Sequence, residues 1–179
     1  MKFGKLPDIS YVTFSLPSEP EENMTTLSSF PKQYKPPKIY IGCTGWSMKE
    51  WVGHVYPSNA KTKDYLMHYA KQFNTIELNT THYRTPDFET IQKWKKESTA
   101  DFRFCPKIPQ AISHSSGMGL NDGKLKAFIA SIEQLAEKMG CCFMQMPPYF
   151  DAERLAVLAT FLDSLPSNIP LAIEVRHES

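Results

Sequence analysis

No run in this chain approaches the ~18 consecutive apolar residues of a membrane-spanning helix, so no membrane partner is expected. Cysteine is scarce, with only Cys43, Cys105, Cys141 and Cys142 present. None forms a C-x-x-C pair, and adjacent Cys141 and Cys142 would point to opposite faces of a strand. That argues against a disulfide framework or a zinc knuckle and for reduced thiols. Charge of one sign is not in excess: 20 Lys and Arg against 19 Asp and Glu leave +1. No bulk field therefore favours nucleic acid or a membrane surface. No strand-like run is followed by a G-x-G-x-x-G loop, which weakens a dinucleotide-binding reading. The opening Met1-Lys2-Phe3-Gly4-Lys5-Leu6-Pro7 lacks the apolar stretch of a signal peptide, so a cytoplasmic protein is expected.

What is present is enough for one domain with a sizeable core, at 179 residues and 41% hydrophobic content. Residues 1–37 hold six of the 14 prolines and the cluster Ser18-Glu19-Pro20-Glu21-Glu22, which reads as an extended Pro-rich arm. Within it, Tyr11-Val12-Thr13-Phe14 is either a short strand packed on the body or part of a mobile tail. From residue 38 onward, two periodicities alternate. Strands are expected over residues 39–42, 75–79, 102–106, 141–146 and 171–175. Between them, helices are expected over 63–72, after Thr85-Pro86-Asp87, through 125–139 up to Gly140, and from Asp151.

Strand–helix alternation of this kind argues for parallel strands with right-handed crossovers. Two closures compete, an open doubly wound sheet and a (β/α)8 barrel. The strands carry unlike faces: Ile76 and Leu78 against Glu77 and Asn79, Phe102 and Phe104 against Arg103, Ile173 and Val175 against Glu174 and Arg176. In a sheet wrapped by helices, the apolar face packs outward and the charged face lines a closed interior. Interior charges are costly unless paired or used. That parity favours an α/β fold of the (β/α)8 TIM-barrel type. A full barrel takes about 250 residues. The expectation is therefore an N-terminal extension followed, over 38–179, by the N-terminal portion of a barrel cut off after about its fifth strand.

The motifs resemble a known family. Ile41-Gly42-Cys43-Thr44-Gly45-Trp46 and Phe73-Asn74-Thr75-Ile76-Glu77-Leu78-Asn79-Thr80-Thr81-His82-Tyr83 are similar to those of domain of unknown function 72, the YecE-like proteins. Phe102-Arg103-Phe104-Cys105-Pro106-Lys107-Ile108-Pro109, Ile112-Ser113-His114, Gln145-Met146-Pro147-Pro148 and Glu174-Val175-Arg176-His177 follow in order at compatible spacing. The resemblance spans about residues 39–179 and implies a TIM-like barrel in relatives longer than this chain. It implies no established activity. Cys43, after the first strand glycine, and Thr80-Thr81-His82 depart mildly from the family pattern.

In (β/α)8 proteins the active site sits at the C-terminal strand ends. Parity turns Glu77, Lys107, Gln145, Glu174 and Arg176 to one side, with Arg103 adding a third positive charge. Lys107 beside Glu77 has two readings. One is a buried ion pair that fixes register, hydrogen-bonded by Asn79 and Gln145. The other is a catalytic pair for proton transfer, with the lysine as base or Schiff-base former. The candidate catalytic residues are Lys107, Glu77 and Glu174. The candidate substrate-binding residues are Asn79, Tyr83, Gln145, Arg176, Trp46 and His114. The positive excess favours a small anionic organic ligand, with Arg176 as the bidentate clamp. One alternative is a non-catalytic barrel binding a ligand or nucleic acid, although the Lys93, Lys95 and Lys96 run reads as a solvated helix face. Another is a metal-dependent hydrolase or isomerase using Glu77, His82, His114, Glu174 and His177. No H-x-H or helical H-x-x-x-H pair marks such a site. No cofactor is identified, and oligomeric state is open. Ser115 to Gly123 reads either as a lid or as an ordinary surface loop.

Overall fold

The structure, a computed structural model, describes residues 8, 10–13, 15, 18–30 and 36–179. The chain divides into two compact units, Met1–Lys38 and Ile39–Ser179. In the first, helix α1 spans Glu21–Ser29 directly after Pro20. Glu21 and Glu22 in its first turn complement the positive end of the helix dipole. Tyr11, Val12 and Thr13 form no strand, and Phe14 lies outside the described residues.

The second unit carries the core. Its helices are α2 (Tyr65–Gln72), α3 (Phe88–Glu97), α4 (Gln110–Ser113), α5 (Lys124–Ile132) and α6 (Leu155–Asp163). Its strands are β1 (Thr75–Leu78), β2 (Arg103–Pro106), β3 (Cys142–Gln145) and β4 (Leu171–Glu174). Helix α2 buries Tyr65, Leu66, Tyr69 and Ala70, a spacing that puts all four on one face. Helix α3 starts two residues later than its Thr85-Pro86 signal suggests, because Asp87 is the cap and accepts from Thr90 N at 2.9 Å. Phe88 is exposed, while Ile91 and Trp94 are buried. The helix expected to reach Met139 ends at Ile132 and continues as a tight 3-10 turn over Glu133–Lys138, with Ala136 at φ 50°. Among the described residues no helix is long and apolar enough to cross a membrane.

The sheets are parallel and short. Strand β1 pairs with β2 (Ile76 opposite Phe104, Glu77 opposite Cys105), and β3 pairs with β4 (Met144 opposite Ile173, Gln145 opposite Glu174). Between β2 and β3 only isolated bridges form, Phe104 with Met139 and Lys107 with Phe143. The (β/α)8 TIM barrel expected from the sequence is therefore not formed: the described residues build two separate two-stranded sheets. Closure needs a continuous ladder with a fixed stagger, and here the ladder is interrupted between β2 and β3. The first expected strand, 39–42, is also absent. There the Asn74 carboxamide takes the place of a strand partner, accepting from Ile41 N at 2.7 Å and donating to Ile39 O at 2.9 Å.

The apolar faces of β1, β2 and β3 pack as expected, whereas on the last strand Ile173 is only half-buried and Val175, just past it, is exposed. Ile76, Leu78, Phe102, Phe104, Cys142 and Met144 are all essentially inaccessible. Phe104 stacks on Trp94 with ring centres 5.9 Å apart and meets Phe102 edge-on at 4.8 Å. The polar faces are not sealed in: Glu174 keeps 51% of its side chain exposed. Tyr69 joins the segment before β1 to the strand itself. Its hydroxyl accepts from Cys43 N at 2.6 Å and donates to Thr75 O at 2.9 Å, and burial pushes the phenol up to about 12. Gly42 sits so close that an added Cβ would overlap the Thr75 carbonyl. The loop from Ser115 to Gly123 is anchored by Met118, which is fully buried.

Lys138 is the one buried charged side chain among the described residues, at 6% exposure. Its ammonium donates to Lys95 O at 2.7 Å, Ser98 O at 3.0 Å and Ser98 Oγ at 2.7 Å. These are the orphan acceptors at the C-terminus of α3, where a cation also suits the dipole. Replacing Lys138 with Met keeps the stem and strips the donors. The expected loss is ~2 kcal/mol, read from urea melts of the variant and the wild type.

Candidate functional site

Glu77, Asn79, Lys107, Gln145, Glu174 and Arg176 lie at or just past the C-terminal end of a strand. Trp46 instead follows a segment that forms no strand, Tyr83 follows the turn Asn79–His82 and His114 follows α4. The structure sorts them into three groups. The first is a row across β2, β3 and β4. Lys107, one residue beyond β2, donates from Nζ to Gln145 Oε1 at 3.2 Å. Gln145 in turn donates from Nε2 to Glu174 Oε2 at 2.6 Å. Arg176 Nε donates to Glu174 Oε1 at 2.6 Å. Gln145 and Glu174 meet because they are register partners in a parallel pair. The amide thus bridges a cation and an anion that belong to different sheets. Hydrogen bonds from Arg176 and then Gln145 hold the Glu174 carboxyl below its usual value.

The second group surrounds a hollow of about 100 Å³ beside β1, lined by Trp46, Glu77, Asn79 and Thr44 among others. Asn79 Nδ2 donates to Glu77 Oε1 at 2.9 Å. The ion pair expected between Glu77 and Lys107 is not made: no contact within 4.0 Å joins them. Parity places two side chains on the same face but does not make them neighbours. Trp46 is half-buried and meets Trp94 edge-on at 5.8 Å, with its carbonyl accepting from Tyr56 Oη at 2.7 Å. It serves as wall and core at once.

The third group is a recess of about 430 Å³ lined by His82, Tyr83, Gln110 and His114. His82 Nδ1 lies 3.0 Å from Ile108 O. A carbonyl only accepts, so this nitrogen carries the proton and Nε2 is left as an acceptor. His114 Nδ1 lies 2.9 Å from Ser113 Oγ. Burial, then the nearby His82, Lys107 and Arg176, push the His114 imidazole below its ordinary value. Thr81 ties this group to the first: its buried Oγ1 donates to both Leu78 O and Lys107 O, at 2.7 Å each.

Sequence reasoning weighed His82 only as a metal ligand and passed over Thr81 and Tyr149. Tyr149 meets His114 edge-on at 6.4 Å and donates to its carbonyl at 3.3 Å. Its signal was available, since Pro147-Pro148 ends β3 and puts the next residue at the strand mouth. Among the described residues no three His, Cys, Asp or Glu side chains are grouped to share an ion. His177 Nδ1 instead lies 2.8 Å from Ser179 Oγ.

Comparison with known proteins fits these motifs. A family model described as protein of unknown function DUF72 matches residues 40–179. This chain belongs to the DUF72 family. It is 38% identical over 139 residues to UPF0759 protein YecE of Escherichia coli strain K12, covering 78% of this chain and 48% of that protein. It is 30% identical over 149 residues to UPF0759 protein YunF of Bacillus subtilis strain 168, covering 79% and 51%. The DUF72 chain thus spans about half the length of the curated relatives it matches. A crystal structure of a DUF72 family protein from Enterococcus faecalis V583 superposes with TM-score 0.64 at 24% identity, over 77% of this chain and 50% of that one. That likeness concerns the fold alone.

Glu174 gives a pH test of the row. Its folded carboxyl titrates below its unfolded value, so the stabilisation is complete above the unfolded value. It is lost as pH falls through the folded one. Because the group is about half exposed, Glu174→Gln should cost only ~0.5 kcal/mol at neutral pH. The gap from wild type should close as pH falls below the ordinary carboxylate range. Denaturant melts at neutral pH and below that range check it.

Proposed function

We propose that this region of the DUF72 protein is part of an enzyme site that binds a small anionic organic molecule at the C-terminal strand ends. The supporting observation is the hydrogen-bonded row Lys107–Gln145–Glu174–Arg176, which holds two cations on one open face within hydrogen-bond reach of one another's partners. Lys107 spends one of its three donors on Gln145. The others are available to a carboxylate or phosphate, with Arg176 adding positive charge beside them.

Roles follow from the contacts. Lys107 holds the ligand's anion and stabilises charge that develops on it. Glu77, with one oxygen fixed by Asn79 and the other carrying no hydrogen bond, is the proton acceptor. Glu174, kept anionic by its two donors, orients Gln145 more than it exchanges protons. Asn79 and Gln145 position the carboxylate and the ammonium. Trp46, Tyr83 and His114 form the surrounding wall. The reaction class that suits a carboxylate base beside an anion clamp is proton abstraction next to an acid group. A cytoplasmic setting is part of the proposal, supported by four free thiols at Cys43, Cys105, Cys141 and Cys142.

NMR titration with succinate and inorganic phosphate tests the binding half. Shifts should centre on Lys107, Gln145 and Arg176, and Lys107→Met should weaken binding about tenfold. Deuterium exchange of the succinate methylene protons in heavy water tests the chemistry, which Glu77→Gln should abolish. Affinity and exchange that survive both substitutions would falsify the assignment.

A further inference from the structure

The recess beside the row has a composition the row does not explain. Four rings run in series, with Tyr83, His82 and His114 lining the recess and Tyr149 packed against His114 beyond it. Each meets the next edge-to-face, at 5.3, 5.8 and 6.4 Å between centres and 80°, 69° and 82° between planes. The two end members are unusually bare, Tyr83 at 82% exposure and Tyr149 at 58%. The inner pair is held by hydrogen bonds, His82 through the Ile108 carbonyl and His114 through the Ser113 hydroxyl. Ring walls held in this way are preorganised for another ring, which continues the same edge-to-face or stacked packing at little ordering cost. At about 430 Å³ the space falls in the usual range for a small-molecule pocket.

The recess also adjoins the cations. Ile108, whose carbonyl holds His82, follows Lys107 directly, and Thr81 bonds the Lys107 carbonyl. Arg176 joins Lys107 in the same hydrogen-bonded row through Glu174 and Gln145.

Resting on the anion-binding reading above, we propose that the recess seats a planar ring whose acid group is held by Lys107 and Arg176. The ligand class is an aromatic or heteroaromatic carboxylate. His82 Nε2 supplies an acceptor for a hydroxyl or N–H on that ring, and the Gln110 carboxamide on the rim offers a second polar contact.

Calorimetric titrations of residues 1–179 with benzoate, cyclohexanecarboxylate and acetate test this, alongside imidazole-detected NMR of His82 and His114. Benzoate should bind about fivefold or more tightly than acetate, exceed cyclohexanecarboxylate, and shift both imidazole signals. Tyr149→Leu, with His82→Asn as a second variant, should bring the benzoate-to-acetate ratio toward one while melting temperatures stay near wild type. Equal affinity for benzoate and acetate overturns the ring proposal and leaves the anion site standing. Benzoate preference without imidazole shifts places the ring elsewhere and also overturns it. Binding of none of the three overturns both.

Discussion

Parallel pairing in register sets Gln145 across from Glu174, and the bridge between Lys107 and Phe143 brings the end of β2 alongside. A slip of one residue in either pair would turn each polar side chain to the helix-packed face and each apolar one to solvent. The row from Lys107 to Arg176 exists only in this register. Burial of the opposite face enforces it, since Phe104, Cys142 and Met144 are wholly inaccessible while Glu77, Lys107 and Gln145 are not.

The same constraint explains why charged residues are tolerated on three strands. Had the face been enclosed, each charge would have needed a partner to offset desolvation. On an open face that cost is small, so Glu77 and Lys107 need not pair. Each keeps hydrogen-bonding capacity for a ligand. The glutamine between Lys107 and Glu174 keeps opposite charges apart without letting them neutralise each other. Lys138, the single buried ammonium among the described residues, serves the other role of a charge, closing a helix end with its donors.

Much of the local structure was legible in the residues. Period-2 runs located all four strands to within two residues at each end, and parity correctly grouped Gln145, Glu174 and Lys107 on one face. Three things were not legible. The segment before β1 has strand composition, yet its polar groups are met by a mixture of the Asn74 side chain, the Tyr69 hydroxyl and the backbone N–H groups of Asn74 and Glu77, long-range contacts no local pattern encodes. Closure into a barrel was inferred from charge parity, but parity fixes a face, not what covers it. The Glu77–Lys107 pair failed for a related reason: Glu77 lies across from Cys105, and the residue beside it after the strand, Asn79, reaches it first. The ring series from Tyr83 to Tyr149 joins residues 66 positions apart, so only the folded chain shows it.

The central claim is that Gln145 couples Lys107 to Glu174 across two sheets. A double-mutant cycle with Lys107→Met and Glu174→Gln, run with Gln145 present and again with Gln145→Leu, measures this directly. A coupling of about 0.5–1 kcal/mol that vanishes in the leucine background is the predicted result. Equal coupling in both backgrounds, or none in either, would contradict it.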